Sequence, residues 1–213
     1  MAIGDPHSSP AHHEYCRTIF KITPSGTLTT LYNFWMQAGC PDGETPYAGL
    51  MQATDGNLYG ATQFRGANYG NGTIFRCTLD GTLTTLHIFE ETDGSEPLAP
   101  LMQATDGNFY GTTHNGGIDR CEGGCGTIFT LSVGLGAFVE TQPTSGKAGA
   151  AVKILGANLT GAVSVGFNGA AAAFEVVSSS EITTTVPAGA SSGTVQVGTP
   201  GGMPSSNVPF TVP

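Results

Sequence analysis

Few residues in this chain stand at spacings that do chemistry. His12-His13-Glu14 puts two imidazoles beside a carboxylate, the composition of a metal or catalytic fragment. It falls in an irregular entry segment with no helix to orient it, so a solvated loop is expected. Cys121 and Cys125 bracket Glu122-Gly123-Gly124 in a loop between strands. Two thiols around a Gly-Gly can close a small disulfide in an oxidising compartment. The alternatives are free thiols, or a zinc site that needs two further ligands, for which only His114 is at hand. Cys16 and Cys125 both stand two residues before a Thr-Ile-Phe triplet, but the counterpart of Cys121 is lost near Cys16. Five cysteines leave one odd thiol unless two chains join.

Two further groups invite a functional reading. Asp55-Gly56-Asn57 and Asp106-Gly107-Asn108 carry oxygen ligands that suit calcium. A full set of ligands at alternating positions is missing, and Asp-Gly is a usual pair for a tight hairpin, so a turn is expected. Trp35 and Tyr47 flank a four-residue insertion and are the candidates for an exposed contact, since aromatic faces stack on sugar rings. Tyr59 and Tyr110 recur at equivalent positions, which favours packing. Glu90 and Glu91 are adjacent and point apart in extended chain. There is no Gly-x-Ser-x-Gly elbow, His-Glu-x-x-His helix or phosphate-binding glycine loop. No catalytic residue, cofactor site or metal site is read, and the chain is expected not to be an enzyme.

The elements that would position these residues are short strands. Charged residues are 11% of the 213, glycine numbers 32, and apolar residues reach 39%, a composition for a folded all-β chain rich in turns. Residues 1 to 142 hold 14 acidic and 5 basic side chains, so they carry the whole net charge of −9; Glu175 and Glu181 balance Lys147 and Lys153 beyond them. Without a Lys/Arg cluster, such a surface is a poor partner for nucleic acid or anionic membranes. No window has 18 consecutive apolar residues, so no membrane span is expected.

Leu50-Met51-Gln52-Ala53-Thr54-Asp55-Gly56-Asn57 returns unchanged as Leu101 to Asn108. Thr-Ile-Phe occurs at Thr18, Thr73 and Thr127, separations of 55 and 54 residues. After the first two come turns and the strands 27–34 and 82–89. Leu28/Leu31 and Leu83/Leu86 break strict alternation, which points to a bulge. Asp42-Gly43-Glu44-Thr45-Pro46 matches Asp93-Gly94-Ser95-Glu96-Pro97. Each unit of about 54 residues is expected to hold four antiparallel strands, like a propeller blade, and must stack on its neighbours to bury its faces. Two full units with partial ends fall short of a closed ring. The expectation is an incomplete array, or self-association if the array is not truncated.

These motifs resemble a bacterial tandem-repeat family, the GloVer-type repeat, with the pattern G-T-[IV]-F, G-x-x-T-x-L-x-x-F, D-G-x-x-P and D-G-N-L-Y-G-T-T. Residues 15 to 131 fit it, with Arg17 in place of the glycine before Thr18. The resemblance implies export and attachment to the cell surface. The start of the chain lacks a secretory leader, which on this reading is expected from truncation.

From Gln142 the texture changes to alternating strands at 152–159, 163–169, 174–178, 181–187, 193–197 and 208–212, the spacing of a small sandwich. I-x-G-x-N-L at Ile154, V-x-F-N-G at Val165, G-x-V-x-V-x-T-P-G-G at Gly193 and a closing F-T-V resemble the IPT/TIG domain, an early-set immunoglobulin-like fold. The expected layout is repeats over 1–138, a linker at 139–142 and IPT/TIG over 143–213. The expected function is a non-catalytic extracellular or cell-surface scaffold, adhesion or ligand-binding module with carbohydrate or protein partners. An ancillary fragment of a polysaccharide-acting enzyme and a purely structural spacer are the alternatives.

Overall fold

A computed structural model describes residues 2–4, 17–34, 39–67, 70–117 and 123–213. All regular structure there is β, in several antiparallel sheets, none of them closed into a ring. The chain divides into two compact units. The first holds Met1–Gln103 and Phe109–Leu131, and the second holds Ala104–Asn108 and Ser132–Pro213.

The first unit contains three successive meanders. β1 (Ala2–Gly4), β2 (Thr18–Ile22) and β3 (Leu28–Asn33) form one sheet. β4 (Met51–Gln52), β5 (Leu58–Thr62), β6 (Thr73–Cys77) and β7 (Leu83–Ile88) form the complete four-stranded repeat, in chain order. β8 (Met102–Gln103), β9 (Phe109–Thr112) and β10 (Ile128–Leu131) form the third. The eight-residue identity therefore opens the second and third sheets, and Thr-Ile-Phe leads into or forms the third strand of each.

Local chemistry explains why the same sheet is built again. Four hairpins use one three-residue turn, in which a glycine donates its N–H three residues back: Gly26 to Thr23, Gly56 to Ala53, Gly81 to Thr78 and Gly107 to Ala104. All four glycines have φ between 80° and 96°, the left-handed region that this turn requires of its third residue. The expected bulges are present. Phe20 faces Thr30 while Ile19 faces Tyr32, so Leu31 is the extra residue, and Leu86 is its equivalent between Thr85 and His87.

Buried threonines tie the strands to the Asp-Gly loops. Thr62 Oγ1 lies 2.8 Å from Thr73 Oγ1 and accepts the Thr73 N–H, while Thr73 Oγ1 donates to the Asp42 carbonyl. Thr113, Thr127 and Asp93 repeat the arrangement. A side chain on Gly43 or Gly94 would collide with these threonines, which is why Asp is followed by Gly in both copies.

Stacking of repeats within this unit rests on aromatics. Phe34 meets Phe75 edge to face at 5.2 Å, and Phe89 meets Phe129 in the same way at 5.1 Å. Tyr59 is buried and stacks on Phe109, its neighbour's counterpart of Leu58, at 4.3 Å. The Gln103 side-chain amide clips onto Thr54, accepting from its N–H and donating to its hydroxyl, each at 3.0 Å. A motif that packs against its own copy constrains both copies at once.

The second unit is a sandwich. β11 (Val139–Gln142), β12 (Ala151–Gly156), β16 (Glu181–Thr185) and β15 (Phe174–Val176) form one sheet; β14 (Ala170–Ala172), β13 (Ser164–Phe167) and β17 (Val195–Gly198) form the other. Alternation puts Val152 and Ile154 inward between exposed Ala151 and Lys153. These join Val139, Leu159, Val165, Phe167, Val197 and Phe210 in one core. Asn168 and Gly169, at φ 45° and 88°, make the two-residue hairpin between β13 and β14.

Two expectations need correction. Residues 139–142, read as a linker, are a strand of the sandwich, with Val139 opposite Gly156 and fully buried. Gln142-Pro143 read as a break because Pro and Gly follow, yet the strand ends there instead of beginning later. The segment 208–212, read as a strand, contributes isolated bridges at Phe210 and Thr211.

Candidate functional site

A cavity of about 680 Å³ opens in the first unit. Its size is within the roughly 300–1,000 Å³ of small-molecule sites. Its floor comes from the loop after Gly43 and the segment leaving β5, joined through an antiparallel bridge between Glu44 and Phe64. Ser95 and Glu96, from the matching loop of the next repeat, close one side. The site is thus a seam between successive repeats.

Its polar groups fall into two hydrogen-bonded sets. Arg65 Nε donates to Glu44 Oε2 at 3.1 Å. Glu96 receives two amides, Gln63 Nε2 at 3.0 Å and Asn115 Nδ2 at 2.9 Å. Arg17 stands with its guanidinium carbon 5.7 Å from the ring centre of Tyr47, a cation–π distance. Tyr47 is 62% exposed, and Phe64 is also open to solvent. Thr45 is only 5% exposed, and its Oγ1 has no hydrogen-bond partner among the described residues.

Backbone strain gathers here. Six non-glycine residues among those described have positive φ, and Thr45 (58°), Arg65 (65°) and Glu96 (56°) are three of them, all in this wall. For a β-branched threonine this conformation is a genuine outlier. Such strain persists only where surrounding bonds hold it, here the Gln63 N–H to the Thr45 carbonyl and the His114 N–H to the Glu96 carbonyl.

The Asp-Gly-Asn turns use their carboxylates internally. Asp55 accepts from the Asn57 N–H, the Asn57 amide and the Tyr59 hydroxyl at 2.8 to 3.0 Å. Burial pushes this carboxyl up, but the Asn57 and Tyr59 bonds outweigh it and hold it below the usual range. The Tyr59 phenol is pushed up to about 12, by burial first and then by its bond to Asp55. Asp106 accepts from Asn108 in the same way. Among the described residues no three metal-ligating side chains converge.

Of the residues singled out from sequence, Tyr47 lies in the cavity wall. Trp35 lies outside the described residues, as do Cys121, Cys16 and His12-His13-Glu14. Cys125 is disulfide-bonded, and Cys77 is a buried free thiol. Sequence reasoning missed Thr45, Gln63, Arg65 and Glu96. The available signal was departure from the repeat: Tyr47, Phe64 and Arg65 stand where the next unit has Leu98, Asn115 and Gly116, and Arg17 stands where Gly72 and Gly126 are expected.

The Gloeobacter/Verrucomicrobia repeat matches residues 12–172. The chain belongs to this repeat family. The IPT/TIG domain matches residues 138–212, which places β11 inside that domain, as its pairing with β12 requires. The two matches overlap over 138–172, where the fold is already that of the sandwich. A comparison with curated proteins finds no match. Repeat-family units followed by IPT/TIG are an architecture consistent with a non-catalytic binding or scaffold module. Among the described residues, no helix is long and apolar enough to cross a membrane.

Proposed function

We propose that this repeat-family chain is a non-catalytic binding module of an extracellular or cell-surface protein, in which propeller-like stacking of the repeats presents the seam cavity to a ligand. The observation that carries the reading is the state of the cavity's carboxylates. Glu96 is held by two amides and Glu44 by Arg65, so both serve as fixed acceptors. Acid–base hydrolysis needs carboxyls placed to exchange protons with a substrate or a water, with one of them free to attack or to activate it. A disulfide at Cys125 suits an oxidising compartment.

The test is incubation of the protein with a panel of soluble polysaccharides and peptides, reading both retention and product. Retention without new reducing ends or new amines is expected. Sustained turnover that vanishes in Glu44→Gln or Glu96→Gln would overturn the reading. Accessibility of an epitope tag to antibody on intact source cells tests the location, and a signal seen only after lysis would contradict it.

A further inference from the structure

We propose that the seam cavity binds a neutral pyranose unit of a glycan; this names a ligand for the binding reading above and rests on it. Three observations lead there.

The first is charge. The protein carries −9 overall, yet the described wall contributes two arginines and two glutamates, formal charges that cancel. Arg65 and Glu44 are already paired. A wall built to be neutral inside an acidic protein fits an uncharged ligand better than a polyanion, a polycation or a phosphate.

The second is the kind of polar group. A sugar hydroxyl both donates and accepts, so its site needs both kinds of partner close together. The wall offers guanidinium and amide donors at Arg17, Arg65 and Asn71 beside carboxylate acceptors at Glu44 and Glu96.

The third is the aromatic pair. Tyr47 and Phe64 are exposed at the rim, and Arg17 steadies the Tyr47 ring. Flat apolar faces beside hydrogen-bonding groups match the C–H face and hydroxyl edge of a pyranose. Neither aromatic, nor Arg17 or Arg65, is kept in the neighbouring unit, so the cavity is a specialised seam rather than a by-product of the repeat.

The experiment is calorimetric titration of the full chain with neutral oligosaccharides of glucose, galactose and mannose, with the matching uronic-acid oligosaccharides and a mixed peptide pool as further arms. The variants are Tyr47→Ala and Phe64→Ala, both at exposed positions of the rim. Binding of at least one neutral series is expected, weakened about tenfold or more in Tyr47→Ala and several-fold in Phe64→Ala. The melting temperature should hold in both, since neither ring is buried. Binding of uronates or peptides alone would overturn the neutral-sugar assignment while leaving a binding module in place. Binding of no ligand in any arm, or sugar binding indifferent to both variants, would overturn the site. Hydrolysis of a bound glycan would instead contradict the non-catalytic reading, which separates the two failures.

Discussion

Asp55 and Tyr59 show how a residue that looks functional in sequence can be spent on structure. Asp55 is held below the usual carboxylate range, so its stabilising effect is present above the unfolded value of about 4 and is lost as pH falls through the lower folded value. Tyr59 is raised to about 12, so its contribution is full below about 10 and is lost between there and 12. Urea midpoints should show Asp55→Asn less stable than wild type at neutral pH, with the gap closing in acid. Tyr59→Phe should flatten the alkaline limb, and an unchanged limb would refute the assignment. Gly60 makes a steric case: a β-carbon there would stand 2.6 Å from the Phe75 ring and 2.7 Å from Leu50, and Phe75 is fully buried. Gly60→Ala should cost about 1–3 kcal/mol in urea unfolding, against near neutrality if the ring could give way. Tyr47, singled out in the sequence because it stands beside an insertion, is exposed in the cavity wall. Thr45 was not singled out, since its strained φ and unmet hydroxyl are properties of the folded loop.

At the scale of the element, the repeat was read well because its chemistry is local. Turn glycines and the irregular Leu31 and Leu86 spacing were visible one strand at a time. The strand β11 was missed because four residues, Val139-Glu140-Thr141-Gln142, carry little pattern and gain their place from pairing with β12. Contacts between repeats were equally hidden. Gly26 and Gly81 hold the same turn position with φ 88° and 96°, but a β-carbon at Gly26 meets open space and one at Gly81 collides with the Leu31 carbonyl. Gly26→Ala should therefore cost about 1–2 kcal/mol, the left-handed strain alone. Gly81→Ala should cost roughly 1–3 kcal/mol more. Equal losses would mean that the bulge at Leu31 does not seat the next turn.

The two compact units divide the whole molecule into an acidic array that carries the cavity and a sandwich of few charges with its own core. Sequence composition marked that division near residue 142, but the fold moves the sandwich's first strand upstream. A fragment spanning 138–213 should unfold in one cooperative thermal transition with native-like dispersion in its proton spectrum. A fragment spanning 143–213, lacking buried Val139 and the first strand, should lose several kcal/mol or fail to fold. Equal stability of the two would return 139–142 to the status of a linker. The central claim is that the repeat array binds a ligand at the seam between successive repeats without transforming it. The most direct measurement is saturation-transfer nuclear magnetic resonance on the full chain with neutral oligosaccharides, followed over days. The account predicts transfer to ring protons that disappears in Tyr47→Ala, with the anomeric region unchanged throughout. New reducing-end anomeric signals that depend on the protein would contradict it.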